Sequence, residues 1–95
     1  MSGNTNQPQK PVDVRKRAGM TQSKLSSLLD VRQATLSDWE NERTVPRLKP
    51  SQWLLLMSAS NCTPEQLVKA YEPAEMELIP LKLKIAGIDY DSAAT

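Results

Sequence analysis

Between Thr21 and Glu40 the apolar positions repeat with helical spacing in two short bursts. Leu25, Leu28 and Leu29 fall at i, i+3 and i+4, which places them on one face of a helix expected over Gln22–Leu29. Leu36 and Trp39 do the same for a second helix, expected over Gln33–Glu42. Thr21 is suited to cap the first of these, because its hydroxyl can accept from the free backbone N–H groups of the next turn. Asp30, Val31 and Arg32 lie between the two bursts. So short a connection makes two helices cross at a steep angle.

The flanking segments are punctuated as helices too. Pro11–Ala18 has proline at its first position, Asp13 in its first turn and Arg15, Lys16 and Arg17 towards its end, with Val14 and Ala18 facing inward. Gly19 is the expected left-handed stop. A loop over 44–49 contains Pro46, and Pro50 then opens a helix over Ser51–Ser60 with Trp53, Leu54, Leu56 and Met57 on a broad apolar face. Asn61 can end it in a left-handed conformation. Thr63, Pro64, Glu65 and Gln66 form a capping-box pattern that opens a fifth helix, reaching Glu72 and burying Leu67, Val68 and Tyr71.

The two ends differ from this middle. Residues 1–10 are polar and Pro-containing without apolar periodicity, and read as a disordered arm, as do residues 91–95 at the other end. In the tail, Leu81, Leu83 and Ile85 alternate with Lys82 and Lys84, the period of a strand. A single strand has no sheet to join in a helical domain. The tail therefore either pairs with the same tail of a second copy, folds back between helices one and five through Leu81 and Ile85, or docks on another protein. The organisation expected is an arm over 1–10, an all-α domain of five helices over 11–72, and a C-terminal extension over 73–95 containing a strand.

The segment Arg15–Pro46 resembles the phage-repressor-like (Xre/Cro) helix-turn-helix family. The resemblance is carried by Arg15, Gly19-Met20-Thr21-Gln22, Leu25, Val31, Thr35-Leu36-Ser37, Trp39-Glu40, Arg43 and Pro46, all in register. Three positions depart from the family pattern. Pro11 stands where an aliphatic residue is usual, and Asp30 and Glu42 stand where glycine is usual. The resemblance implies a sequence-specific reader of double-stranded DNA, acting as a transcriptional regulator in the manner of a repressor. It also implies that Arg15 and Glu40 form a partly buried ion pair and have a structural role.

Composition narrows the chemistry. The 95 residues contain no His, one Cys and no Phe. A disulfide framework and a zinc site are thereby excluded, and the core must be built from Leu, Val, Met and the two Trp. No Gly-rich phosphate loop and no nucleophile with a plausible base is present, so neither an enzyme nor a cofactor is expected. The longest apolar run, Trp53–Met57, is far short of a membrane span, and no charged-then-apolar start marks a signal peptide. A cytoplasmic, nucleoid-associated protein is expected. The net charge is only +1. Residues 1–50, however, carry nine Lys/Arg against five Asp/Glu, whereas residues 51–95 carry three against six. The basic half is the half with the paired helices, which suits a nucleic-acid contact face.

Carried over residue by residue, the family's major-groove positions are Arg32, Gln33, Ala34, Ser37 and Asp38. Gln is able to pair bidentately with adenine, Arg with guanine, Asp with the cytosine amine, and an alanine methyl with thymine. Phosphate contacts are expected where the amides of the second helix begin, at Thr21 and Gln22, with Arg17, Lys24, Arg43 and Arg47 as nearby cations. A module of this size reaches few bases, so a homodimer on a palindromic operator is expected. The competing reading is an antitoxin or adaptor whose tail binds a partner protein.

Overall fold

The computed structural model describes residues 7–90. Among them lie six helices and no strand: α1 (Pro11–Ala18), α2 (Gln22–Leu29), α3 (Gln33–Glu40), α4 (Pro50–Ser60), α5 (Pro64–Tyr71) and α6 (Pro73–Ile85). The all-α expectation holds; the count of five and the strand do not.

Local chemistry accounts for most helix ends. The Thr21 hydroxyl accepts from Lys24 N–H at 3.1 Å and caps α2. Thr63 and Gln66 form the reciprocal capping box, with Gln66 N–H on Thr63 Oγ1 at 3.1 Å and Thr63 N–H on Gln66 Oε1 at 2.9 Å. Gly19 (φ 67°), Asp30 (φ 57°) and Asn61 (φ 56°) end α1, α2 and α4 in the left-handed region. Glu42 is also left-handed, at φ 60°. It follows α3, which stops at Glu40 rather than continuing to Glu42 as expected. The left-handed turn lets Arg43 N–H close back on the Asp38 carbonyl at 2.9 Å, and this ends the helix early.

The core is one cluster of Val14, Leu25, Leu29, Leu36, Trp39, Leu56, Cys62, Leu67 and Ala70. It joins α1 to α3, α4 and α5, and α2 to α3 and α4. The Trp39 and Tyr71 rings meet edge to face with centroids 6.4 Å apart, so α3 and α5 are tied by aromatic packing. Burial, with the nearby charge of Glu40 adding to it, pushes the Tyr71 phenol well above its ordinary range. Gln52 bridges two helix ends: its Oε1 accepts from Lys49 N–H at 2.8 Å, and its Nε2 donates to the Leu29 carbonyl at 2.7 Å. The last turn of α2 is thereby held to the first turn of α4.

The tail corrects the expected strand. Residues 81–85 lie in α6, which packs on α5. The alternation of Leu81, Leu83 and Ile85 spans too few residues to distinguish the two periods. Over the whole of 73–85 the half-buried positions are Glu75, Met76, Ile79 and Leu83, a helical face. Pro73 sits at the first helical position, where its missing N–H costs nothing. A helix satisfies most of its own backbone, as a lone strand cannot, although Pro80 inside α6 lacks the N–H that would bond the Met76 carbonyl. Neither Leu81 nor Ile85 folds back into a groove; both are exposed. The chain after α6 returns to α5 instead, where the Tyr90 hydroxyl lies 3.2 Å from Glu65 Oε2.

The expected N-terminal arm falls partly outside the described residues, as do residues 91–95. Within 7–10 the chain makes contacts with the domain. Pro8 is fully buried, and the N–H groups of Gln9 and Lys10 both donate to Asp13 Oδ2 at 3.0 Å.

Candidate nucleic-acid interface

Helix α3 is anchored on one side and open on the other. Leu36 and Trp39 are buried, while Arg32, Gln33 and Ala34 at its N-terminus are exposed and Ser37 and Asp38 are half-exposed. Helical spacing groups Gln33, Ala34, Ser37 and Asp38 on the open side. The expected base-contacting residues are thus brought together on one face.

That face has an addition. Asn41, one turn beyond Ser37, donates through Nδ2 to the Ser37 carbonyl at 3.0 Å and lies 3.3 Å from its hydroxyl. The amide extends the polar row past the end of α3. Its signal in the sequence is the i+4 spacing from Ser37. Asp38 meets Arg43 at 3.5 Å, which couples a residue expected on bases to one expected on phosphate. Both side chains are well exposed, so the pair contributes little to stability.

The expected phosphate contacts divide. At the start of α2, the first two amides, of Gln22 and Ser23, precede the reach of the helix's own hydrogen bonding, and the helix dipole adds positive character there. Lys24 is exposed one position on. Thr21 spends its hydroxyl on the cap. The Gln22 side chain turns inward and donates from Nε2 to Glu40 Oε1 at 2.9 Å. Arg43 and Arg47 line a cleft beyond α3 together with Val31, Thr35, Trp39, Thr44 and Val45. Arg17 points elsewhere. Its Nε donates to the Ser60 carbonyl at 3.2 Å and its terminal nitrogen to the Asn61 carbonyl at 2.9 Å, closing the C-terminus of α4.

Beneath this surface an ion pair fixes the two helices relative to α1. Arg15 donates from Nε to Glu40 Oε2 and from its terminal nitrogen to Oε1, the latter at 3.0 Å, and its remaining nitrogen reaches the Met20 carbonyl at 3.1 Å. Burial works to raise the Glu40 carboxyl, but hydrogen bonds from Arg15 and Gln22 and the charge of Arg15 outweigh it and hold the group below its ordinary value. The Arg15 guanidinium is raised in return, mainly by its hydrogen bond to Glu40. The pair joins the end of α1, the start of α2 and the end of α3.

Comparison with known families matches residues 13–51 to the helix-turn-helix family. Searches of curated proteins and of solved structures found no match. The matched residues take in most of α1, the α2–turn–α3 unit, the Arg15–Glu40 pair and the loop to α4. Among the described residues no helix is long and apolar enough to cross a membrane. Over residues 13–51 this chain is therefore similar to the helix-turn-helix family, in the segment that holds the α2–turn–α3 unit.

Proposed function

We propose that the chain is a sequence-specific transcriptional regulator that reads the major groove with α3 and occupies a palindromic operator as two copies. The observation that carries the reading is the two-sidedness of α3: its apolar side is locked by Leu36 and Trp39, and its open side offers hydrogen-bonding side chains at the N-terminus. Recognition helices of this type contact bases with their N-terminal residues. In this reading Gln33 pairs with adenine and Arg32 with guanine, Ala34 rests on a thymine methyl, and Ser37 and Asp38 reach the next bases. The amides opening α2 bind one phosphate, supported by Lys24, while Arg43 and Arg47 take the phosphates on the far side of α3. Arg43 leaves Asp38 to do so, which makes the Asp38–Arg43 contact a resting position. Arg17 is left out, since α4 holds it. A regulator of this kind works on the nucleoid, in the cytoplasm. Two copies would address half-sites about one helical turn, roughly 34 Å, apart.

Selection of bound sequences from random duplex DNA tests this. The expected result is an enriched inverted repeat. Recovery of sequences no different from the starting pool would overturn it.

A further inference from the structure

Helix α6 has two apolar faces. α6 packs on α5, with Met76, Ile79 and Leu83 half-buried, and Leu78, Leu81 and Ile85 form a second, exposed row. Their exposures are 41%, 57% and 87%. The row follows the 3–4 spacing of a coiled-coil seam, and Ile88, just past the helix end, is exposed as well. Monomeric surfaces carry isolated apolar side chains freely, but a row at seam spacing along one helix is the form a helix takes when another helix covers it.

The charges beside the row identify the occupant. Flanking it, Glu75 and Glu77 occupy the N-terminal half of α6, and Lys82 and Lys84 the C-terminal half. Glu75 and Lys82 already meet within the helix at 3.1 Å. Glu77 and Lys84 stand in none of the ion pairs among the described residues. A second α6 laid antiparallel on the first would bring Glu77 of each copy towards Lys84 of the other and set the helix dipoles in opposition. A parallel pair would gather the carboxylates at one end and the ammonium groups at the other. The surface is complementary to itself about a two-fold axis and in one direction only.

We infer that α6 is a self-association surface, on which two copies of this chain pair antiparallel through Leu78, Leu81 and Ile85, with Glu77–Lys84 contacts at the flanks. The inference rests on the two-copy reading above for its stoichiometry and adds the surface that makes the pair. Stable interfaces bury about 1,200–2,000 Å² in total, more than two short helices provide. The pair is therefore weak in solution and is reinforced when both copies hold adjacent half-sites.

The test uses sedimentation equilibrium of the full chain without DNA, up to roughly 200 μM, where weak association shows as a concentration-dependent mass. The wild type is expected to approach a dimer. The double variant Leu81→Glu/Ile85→Glu is expected to weaken association by about tenfold or more, with an unchanged helical spectrum because neither side chain is in the core. Glu77→Lys alone and Lys84→Glu alone should each weaken the pair, and the double reversal should restore it. A wild-type mass that stays monomeric, a dimer indifferent to Leu81→Glu/Ile85→Glu, or a double reversal that fails to restore association overturns the inference. Point variants are used because removing α6 would uncover the face of α5 it protects. DNA selection with the Leu81→Glu/Ile85→Glu variant separates this result from the fate of the DNA reading: enrichment of a half-site alone keeps the reading and shows its two halves uncoupled.

Discussion

Arg15 holds both carboxylate oxygens of Glu40 across 25 positions of sequence, and the same carboxylate accepts the Gln22 amide. One charged group on α3 is therefore gripped from α1 and from the start of α2. The angle between α2 and α3 is held by side chains that do not lie on the open side of α3.

The first prediction concerns that pair. The two side chains retain 21% and 10% exposure, so the pair is mostly, not fully, removed from water. Replacing either partner alone, as Arg15→Met or Glu40→Gln, should cost about 3 kcal/mol, the lower end for a buried charge left unpaired. Replacing both with apolar residues should recover much of the loss. Denaturant unfolding of the four proteins in a double-mutant cycle measures it, and additive costs would show the residues uncoupled.

Glu40 also predicts an acid dependence. Its folded-state carboxyl lies below the ordinary value of 4.5, so the unfolded chain binds the proton more readily. Its contribution to stability is therefore fully present above that ordinary value and is lost as pH falls through the lowered folded value. Glu40→Gln should be less stable near neutrality and should show a shallower acid limb between neutrality and acid unfolding. Equal acid limbs in the two proteins would assign the sensitivity to other carboxylates.

Glu42 carries a backbone cost. It sits at φ 60° without glycine's freedom, and a left-handed L-residue costs roughly 1–2 kcal/mol. Glu42→Gly should gain about 1 kcal/mol after glycine's larger folding entropy is deducted. In a domain of this size that is about 4–8 °C in Tm. Asp30→Gly should gain less, because Asp tolerates the same conformation better. A lower Tm for Glu42→Gly would show that the carboxylate has a stabilising contact in solution.

On DNA, three arginine and glutamine variants should behave differently. Gln33→Ala should cost about 1–3 kcal/mol at one base position and leave others unchanged. Arg47→Ala should weaken binding to all sequences and lower the salt slope by about 1. Arg17→Ala should leave both unaffected and lower thermal stability instead, by about 1 kcal/mol for the lost carbonyl bonds of α4. Titrations at several salt concentrations, with a melting curve for each variant, separate the three.

What the sequence determined by itself is local. The limits of α1, α2, α4 and α5 follow from Pro11, Thr21, Thr63-Pro64, Gly19, Asp30 and Asn61, because caps and left-handed stops act within a turn of their own position. The family resemblance added the Arg15–Glu40 pair, which no spacing rule reaches across 25 residues. Tertiary structure decided the rest. The run from Leu81 to Ile85 satisfies a strand and a helix equally well over so short a span, and packing on α5 selects the helix, in which Met76, Ile79 and Leu83 are half-buried. Arg17 reads as one more cation in a basic stretch until the carbonyls of Ser60 and Asn61, more than forty residues away, come within reach. A long polar side chain has several chemically acceptable partners, and only the folded chain fixes which of them is near.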